Sequence, residues 1–279
     1  MHQQDQRSRV DLHIHSTTSD GILTPSEVVH KALELGLSVI ALTDHDSLGG
    51  IEEAQSAAAD TKLEVIPGVE INSEHSRRSL HFLGYYVDAS NPFLQERLNA
   101  IQEARLRRAQ RIVEKLAEIG LPVGWEEVQS MAGGDSVGRP HIARALLDRG
   151  HTTSIREAFN RYIGRDGPAY APRMRLTPTE TIEVIHRSGG LAILAHPAHS
   201  GAIDLIPRLV ALGLDGLEVH YPNLRNRDLQ RLQGLCRQYE LLITGGSDFH
   251  APGHEEGVPM GSVFVPEECA AELRRAAGR

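Results

Sequence analysis

Residues 10–20 read VDLHIHSTTSD, a short apolar segment that contains two histidines and is followed by a polar turn. A short apolar strand is predicted from about Val10 to His15. Successive side chains of a strand point to opposite faces, so His13 and His15 should lie on the same face. Asp20 follows on the turn after the strand. The stretch therefore predicts a strand whose carboxyl end carries several side chains able to bind a metal.

Downstream of this stretch, strands and helices alternate. Thr24-Pro25-Ser26-Glu27 is a capping box with proline at the first helical position, and its helix should end at Gly36. A box of the same design, Thr177-Pro178-Thr179-Glu180, opens a later helix. The predicted strands are residues 10–15, 37–42, 63–71 (with a break at Pro67-Gly68), 80–87 and 191–195, and two more near Leu217 and Leu242. This rhythm predicts an α/β fold with a parallel sheet, arranged as about seven units of a barrel one short of eight.

The rhythm is interrupted once, between residues 91 and 176. A long Arg- and Glu-rich amphipathic stretch runs to Gly120, and shorter helical segments and polar loops follow it. Residues 89–176 contain 13 Arg, 1 Lys and 10 Asp plus Glu, a net charge of +4. Guanidinium groups suit bidentate contacts to phosphate, although a solvated helix face is the alternative for most of them. We predict a metal-binding barrel of residues 1–90 and 177–279, with a mainly helical insertion, 91–176, that contributes to substrate binding.

The composition narrows the class of protein. A chain of 279 residues is long enough for one large α/β domain with an insertion. No apolar run approaches the roughly 20 residues that cross a bilayer, and residues 1–9 lack the apolar stretch of a secretory signal. Cys236 and Cys269 stand far apart, which disfavours a disulfide framework. The net charge of −8 argues against a duplex-DNA-binding protein. A cytoplasmic location without membrane partners fits best.

Histidines and carboxylates recur where the predicted strands end. They occur in HIHSTTSD, TDHD, PGVE, SLHFLGY, LAILAHP and GGSDFH. The active sites of (β/α) barrels are built at this end of the strands. Six histidines and three carboxylates suffice for two or three metal ions, and imidazole-rich sites suit Mn, Fe or Zn better than Mg. The nine predicted ligands are His13, His15, Asp20, His45, Glu70, His81, His196, Asp248 and His250.

These successive motifs resemble those of the PHP (polymerase and histidinol phosphatase) superfamily of metal-dependent phosphoesterases. The resemblance covers residues 10–88 and about 177–262 and leaves the insertion outside it. It implies a distorted (β/α)7 barrel with a trinuclear centre. By this resemblance, one metal would bind His13, His15, Glu70 and Asp248. A second would share Glu70 and add His81 and His196. The third would bind Asp20, His45 and His250.

The insertion and its segment GRPHIARAL look like the branch of the superfamily that acts on nucleotides and short RNA. The resemblance implies removal of the 3′-phosphate of nucleoside 3′,5′-bisphosphates, or trimming of short RNA from the 5′ end. Arg139 and His141 are the predicted substrate contacts, because they follow the glycine-containing stretch 133–138 at the start of a helix. A capping loop with one solvated arginine is the alternative. His199 stands where several members of that branch carry an arginine, and is a further predicted contact.

The predicted mechanism is attack in line on phosphorus by a metal-bridging hydroxide, since metal coordination lowers the pKa of water to about 7. Asp44 and Asp46 are candidates to orient ligating imidazoles, with turn capping as the alternative for each. His220, near the end of a later strand, is a candidate general acid or substrate contact.

Three alternative functions stay open at this point. The chain could be a PHP-type phosphatase of another small phosphorylated metabolite, such as histidinol phosphate, or of phosphotyrosine. It could be a proofreading or structural module associated with a polymerase, although it has no room for the polymerase itself. A metal-dependent amidohydrolase would call for a metal-bridging lysine after a middle strand, and Lys62 and Lys115 are poorly placed for that.

Overall fold

The computed structural model divides the chain into two compact units. The residues it describes are 9–132, 137–172, 175–251 and 258–279. One unit comprises Met1–Arg97 with Leu176–Arg279, and the other is Leu98–Arg175. The boundary therefore falls inside a long helix, a few residues after the predicted start of the insertion. Residues 133–136 of the glycine-containing stretch lie outside the described residues.

The first unit is built on one seven-stranded sheet whose strands follow one another in chain order. They are β1 (Val10–Ile14), β2 (Val39–Leu42), β3 (Glu64–His75), β4 (Arg78–Tyr85), β5 (Leu191–Leu194), β6 (Gly216–His220) and β7 (Leu242–Gly245). An isolated parallel bridge joins Ile14 at the end of β1 to Phe249 after β7. The sheet is thus curled into a partial barrel, and the predicted α/β class is confirmed.

The helices are α1 (Pro25–Glu34), α2 (Ile51–Ala58), α3 (Pro92–Glu118), α4 (Trp125–Ala132), α5 (Arg139–Asp148), α6 (Ile155–Ala158), α7 (Pro178–Arg187), α8 (Ile206–Val210), α9 (Asn226–Tyr239) and α10 (Glu267–Ala276). Both predicted capping boxes are present, at Thr24 before α1 and at Thr177 before α7. In each box the threonine hydroxyl accepts a bond from the backbone of the N3 glutamate, whose carboxylate accepts one from the threonine N–H. Among the described residues, no helix is both long and apolar enough to cross a membrane.

The prediction of a parallel sheet is wrong at β4, which pairs antiparallel with both β3 and β5. A parallel connection needs a crossover of a dozen or more residues, whereas only Ser76 and Arg77 separate β3 from β4. Both residues have positive φ, 48° and 70°, as in the two-residue turns that join hairpins. Neither is a glycine or an asparagine, so the sequence lacked the usual signal for this turn.

The predicted break at Pro67-Gly68 is also wrong, because β3 continues through it for 12 residues in all. The pairings of β3 with the two neighbouring strands meet there instead. Its pairing with β2 ends at Pro67, and its pairing with β4 begins at Gly68. A Cβ on Gly68 would lie 2.9 Å from the Thr43 side chain, so a glycine is required where the two neighbouring strands converge.

Each unit has its own apolar core. Inside the first unit, Leu12, Ile66, Leu83 and Ile193 are fully buried in one cluster. A second cluster in the same unit packs α1 and α2 against the outer side of β1 to β3. The inserted unit buries residues of α3, α4 and α5 together, with Ile112, Leu116, Val128, Ile142 and Leu146 inaccessible to solvent. Burial of this apolar surface is the main force that holds the rim described below in place.

Candidate metal centre

The structure brings all nine predicted ligands together at one rim of the sheet, in three groups whose ligand atoms lie within 4.8 Å of one another. The ends of β1, β2, β5 and β7 carry seven of them, and Glu70 lies within β3. His81 lies near the beginning of β4. Because β4 runs antiparallel, its beginning lies at the same rim as the carboxyl ends of its neighbours.

The first group comprises His13, His15, Glu70 and Asp248. Nε2 of His13 lies 3.3 Å from Glu70 Oε2 and 3.3 Å from Asp248 Oδ1. Nε2 of His15 lies 3.3 Å and 3.1 Å from the same two oxygens. Four potential ligand atoms, two nitrogens and two oxygens, therefore surround one point.

These separations fit a metal ion. In a tetrahedral shell with metal–ligand bonds of about 2.0–2.1 Å, neighbouring ligand atoms stand roughly 3.3 Å apart. Within the described part of the chain, His13 Nε2, His15 Nδ1 and Glu70 Oε2 are buried without a hydrogen-bond partner. Buried polar atoms are nearly always satisfied, so these three atoms need a partner that the protein itself does not supply. A divalent cation is such a partner.

The second group is formed by Glu70, His81 and His196. Oε1 of Glu70 lies 2.8 Å from Nδ1 of His81 and 3.3 Å from Nε2 of His196. The two oxygens of Glu70 thus face different groups, Oε2 the first and Oε1 the second. A carboxylate placed in this way can bridge two ions.

The third group comprises His15, Asp20, His45 and His250. Nε2 of His250 lies 3.3 Å from Asp20 Oδ1, and Nε2 of His45 lies 3.8 Å from Asp20 Oδ2. Asp20 is the most exposed of the nine predicted ligands, with 45 % of its side chain accessible. The other groups are more enclosed, so this position is the most open to solvent.

The charges of the centre shift the pKa values of its groups strongly. Burial would lower the pKa of His13, but the carboxylates of Asp248 and Glu218 raise it well above its usual value. Burial likewise opposes the charge on His15, but Asp248 and Glu70 raise its pKa to about 10. By contrast, burial lowers the pKa of His45 to about 4. The carboxylates therefore favour the protonated forms of His13 and His15 when no metal is bound.

The backbone is strained at three positions of the rim. His196, Asp248 and Asp46 have positive φ values of 30°, 54° and 53°. Residues other than glycine rarely adopt positive φ values, and each such residue costs roughly 1–3 kcal/mol of folding free energy. The surrounding contacts must offset this cost. At His196, the backbone N–H donates to Glu218 Oε2 at 2.7 Å.

The two aspartates of TDHD contact different partners. Asp44 accepts bonds from the backbone N–H and hydroxyl of Ser16 and from the hydroxyl of Ser19. It therefore fixes the loop that carries Asp20, which corresponds to the turn-capping alternative. Asp46 accepts bonds from the backbone and side-chain amides of Asn72, whose amide lies 3.4 Å from His45 Nδ1. Its influence on His45 runs through Asn72.

Two further histidines of this unit, His199 and His220, were predicted to contact substrate or to act as a general acid. Both lie outside the three groups. The ring of His199 is exposed, and its centroid lies 6.2 Å from that of His196 and 5.0 Å from that of Tyr221. Burial lowers the pKa of His199, and the charge of His196 lowers it further. His220 is half-buried, and burial lowers its pKa. An irregularity in the β6–β7 register falls between Glu218 and His220. The roles of both histidines stay predictions.

Two buried carboxylates matter more than the sequence indicated. Glu218 contacts the ring of His13 directly, with Oε1 2.9 Å from Nδ1. Asp11 accepts bonds from the backbone N–H groups of Ser247 and Gly261, both at 2.8 Å, and so ties the segment carrying Asp248 to β1. The available signal was an acidic residue inside an otherwise apolar strand, in DLHIH and GLEVH.

In the inserted unit, Arg139 and His141 lie in the first turn of α5. Nδ1 of His141 accepts the Gly138 N–H at 3.1 Å, so this nitrogen caps the helix. The Arg139 guanidinium lies over the Phe159 ring, 5.3 Å from its centroid. Burial, and then the charge of Arg175, lower the pKa of Arg139.

Arg139 is one of several close arginines. Burial, followed by the charges of Arg139, Arg175 and Arg105, lowers the pKa of Arg108 to about 10. Arg108 also donates to the Ala171 carbonyl at 2.7 Å. Arginines that repel one another in this way form a region of the inserted unit that favours anions.

Comparison with known proteins connects this centre to a family. Residues 11–206 match the family model described as PHP domain. The chain is 37 % identical to the 5′-3′ exoribonuclease Rnm of Escherichia coli over 87 % of its own length and 85 % of that protein. It is 33 % identical to a 3′,5′-nucleoside bisphosphate phosphatase of Chromobacterium violaceum, over 97 % and 99 % of the two chains. A crystal structure from Bifidobacterium adolescentis, assigned as a metal-dependent phosphoesterase, superposes with a TM-score of 0.84 at 31 % identity, covering 95 % of each chain.

Changing a ligand of the first group tests the assignment. We expect His13→Ala and Asp248→Asn to lower kcat on p-nitrophenyl phosphate more than tenfold, a barrier increase above about 1.4 kcal/mol. The physical reason is the loss of one of four ligand atoms around a single point. Circular dichroism should show a folded protein in each case. His30→Ala, on the exposed face of α1, is the matched control and should retain activity. Retention of more than a tenth of kcat in either ligand variant, at saturating metal, would contradict the assignment.

The raised pKa values make metal binding depend on pH. The raised pKa values favour protonated His13 and His15 in the metal-free protein, whereas a metal binds only the neutral imidazole. Binding at pH 7 should therefore release about two protons, and apparent affinity should rise roughly tenfold per released proton for each pH unit. Calorimetry of Mn²⁺ binding in buffers of different ionisation enthalpy measures the number of protons released. Binding without proton release would contradict this prediction, because it would mean that neither imidazole carries an extra proton in the metal-free protein.

Proposed function

The chain belongs to the PHP family of metal-dependent phosphoesterases, and we propose that it hydrolyses phosphate esters of nucleotides, with nucleoside 3′,5′-bisphosphates as preferred substrates. The observation that carries the proposal is the set of three linked ligand groups at one rim. Two or three Mn, Fe or Zn ions would be held there. When bound, such ions activate water and offset negative charge on phosphate oxygens, which is the chemistry that phosphoester hydrolysis needs.

The protein's own residues prepare this chemistry. Glu70 links the first two groups through its two oxygens, so it would belong to the ligand sets of two ions. Asp44 fixes the loop that brings Asp20 to the third group. The openness of the third group makes it the side from which a phosphate would enter. The rim is thus organised to receive a phosphate group before any substrate binds.

The nucleotide part of the proposal is supported by two observations. The names of the relatives from E. coli and C. violaceum specify exoribonuclease and nucleoside bisphosphate phosphatase activities. In the inserted unit, the charges of Arg139 and Arg175 lower the pKa of Arg108. A 3′,5′-bisphosphate has two phosphates, and we propose that one is hydrolysed at the rim while Arg139 binds the other. His141 and His199 are secondary candidates for substrate contacts.

Trimming of short RNA from its 5′ end is the second candidate function, favoured by the similarity to the E. coli exoribonuclease. Both activities begin with a nucleotide that carries a 5′-phosphate, so one binding site could serve both. Measuring the hydrolysis rates of a 3′,5′-bisphosphate and of a short 5′-phosphorylated RNA ranks the two activities. Parallel assays of histidinol phosphate and a phosphotyrosine peptide test the other phosphatase functions.

Replacing Arg139 tests the assignment of the second phosphate. Loss of one charge-assisted contact costs about 1.5–3 kcal/mol. Arg139→Ala should therefore lower kcat/KM for the bisphosphate roughly 10- to 150-fold. The loss should largely vanish for p-nitrophenyl phosphate, which has no second phosphate. The measurement is kcat/KM of the variant and the wild type on both compounds.

Arg144→Ala is the matched control, because Arg144 lies on the same helix but is exposed and paired with Asp148. It should leave both rates unchanged. Equal losses on the two substrates in Arg139→Ala would mean that Arg139 supports the fold rather than the substrate. No loss on either would remove Arg139 from the substrate site.

A further inference from the structure

Glu218 is a fully buried carboxylate in β6 that belongs to none of the three ligand groups. An ionised carboxylate in the protein interior costs several kcal/mol unless hydrogen bonds satisfy it. Oε1 of Glu218 lies 2.9 Å from Nδ1 of His13, and Oε2 accepts the backbone N–H of His196 at 2.7 Å. One carboxylate thus contacts one ligand from each of the first two groups.

The contact with His13 determines which ring nitrogen carries the proton. A carboxylate can only accept, so Nδ1 of His13 must donate to Glu218. The other nitrogen, Nε2, is then the one from which a metal would displace a proton, on the side that faces Glu70 and Asp248, 3.3 Å away from each. Carboxylate partners of this kind fix the tautomer and orientation of ligating histidines.

The contact with His196 acts on the backbone. His196 has a φ of 30°, outside the regions that residues with a side chain normally adopt. A charge-assisted bond to its N–H offsets part of the cost of this conformation. The conformation in turn directs Nε2 of His196 to within 3.3 Å of Glu70 Oε1.

We propose that Glu218 is a positioning residue that sets the metal affinity of the first and second groups together. It holds His13 as the tautomer that can bind a metal and holds His196 in its strained backbone conformation. Among the described residues, no contact joins Glu218 to Asp20, His45 or His250. The third group therefore does not depend on Glu218. This inference rests on the proposed metal-dependent function.

Glu218→Gln is the informative variant, because the amide has the same shape but only one acceptor oxygen. Whichever way the amide turns, its NH₂ meets either His13 Nδ1 or the His196 N–H. In the first orientation His13 must carry its proton on Nε2 and loses the lone pair for the metal. In the second, two donors face each other and the strained backbone loses its support.

Asp215→Asn is a matched control from the same region of sequence. Its Oδ2 lies 2.7 Å from Nε2 of His186 and accepts the Ala192 N–H at 2.7 Å, so one carboxylate again joins one imidazole and one backbone amide. Asp215 directly precedes β6, at the end of that strand opposite the ligand rim. Its loss should lower stability without changing metal affinity.

The test is a stepwise titration of the metal-free full-length protein with Co²⁺, followed by visible absorption and chelator competition. Glu218→Gln should weaken two of the wild-type binding steps roughly 10- to 100-fold and leave the remaining step unchanged. Asp215→Asn should leave all steps unchanged. If Glu218→Gln does not fold, Glu218→Asp, which keeps the charge but shortens the reach, is titrated instead and should show a smaller loss in the same two steps.

Two outcomes would overturn the proposal, and they differ in what else they remove. Wild-type protein that binds no Co²⁺ would overturn the proposed function together with the role of Glu218. The role of Glu218 alone would be overturned if the wild-type protein binds Co²⁺ and Glu218→Gln or Glu218→Asp binds it with unchanged affinity. A loss of equal size at every binding step would overturn that role as well.

Discussion

The position of the Glu70 carboxylate is the constraint on which the rest of the rim depends. The side chain is 1 % exposed and lies within 3.3 Å of ring nitrogens from His13, His15, His45, His81 and His196. Burial alone would raise its pKa, but the surrounding histidines, chiefly His45 and His81, lower it well below the usual value. A buried anion among imidazoles is stable only with protons or metal ions beside it. The site's chemistry and the local stability of the fold are therefore coupled.

Glu70 lies in the part of β3 that pairs with β4, and it also bridges in parallel to His45, just beyond β2. The pairing of β3 with β2 ends at Pro67, and its pairing with β4 begins at Gly68. The hairpin then brings the start of β4, with His81, to the rim that the carboxyl ends of the other strands share. A sheet of parallel strands alone would place His81 at the opposite rim. The change of strand direction is thus what completes the second ligand group.

The sequence alone was sufficient to predict the features that short local patterns encode. Capping boxes at Thr24 and Thr177, and metal-ligand motifs at strand ends, are short patterns with a direct physical meaning. It was insufficient where contacts join residues far apart in the chain. The turn at Ser76-Arg77 lacks the usual turn residues, and Glu218 is 205 residues from His13. Likewise, nothing in the sequence shows that Arg108, Arg139 and Arg175 lie close together, because their proximity depends on how the inserted unit packs.

The central claim is that the nine rim residues form one polynuclear metal centre. The most direct test is elemental analysis of the purified protein after loading with Mn²⁺ and removal of excess metal. Two to three equivalents per chain, with activity rising as the metal is added back to stripped protein, is the result that this account predicts. Less than one equivalent, with no gain in activity on adding metal, would contradict it.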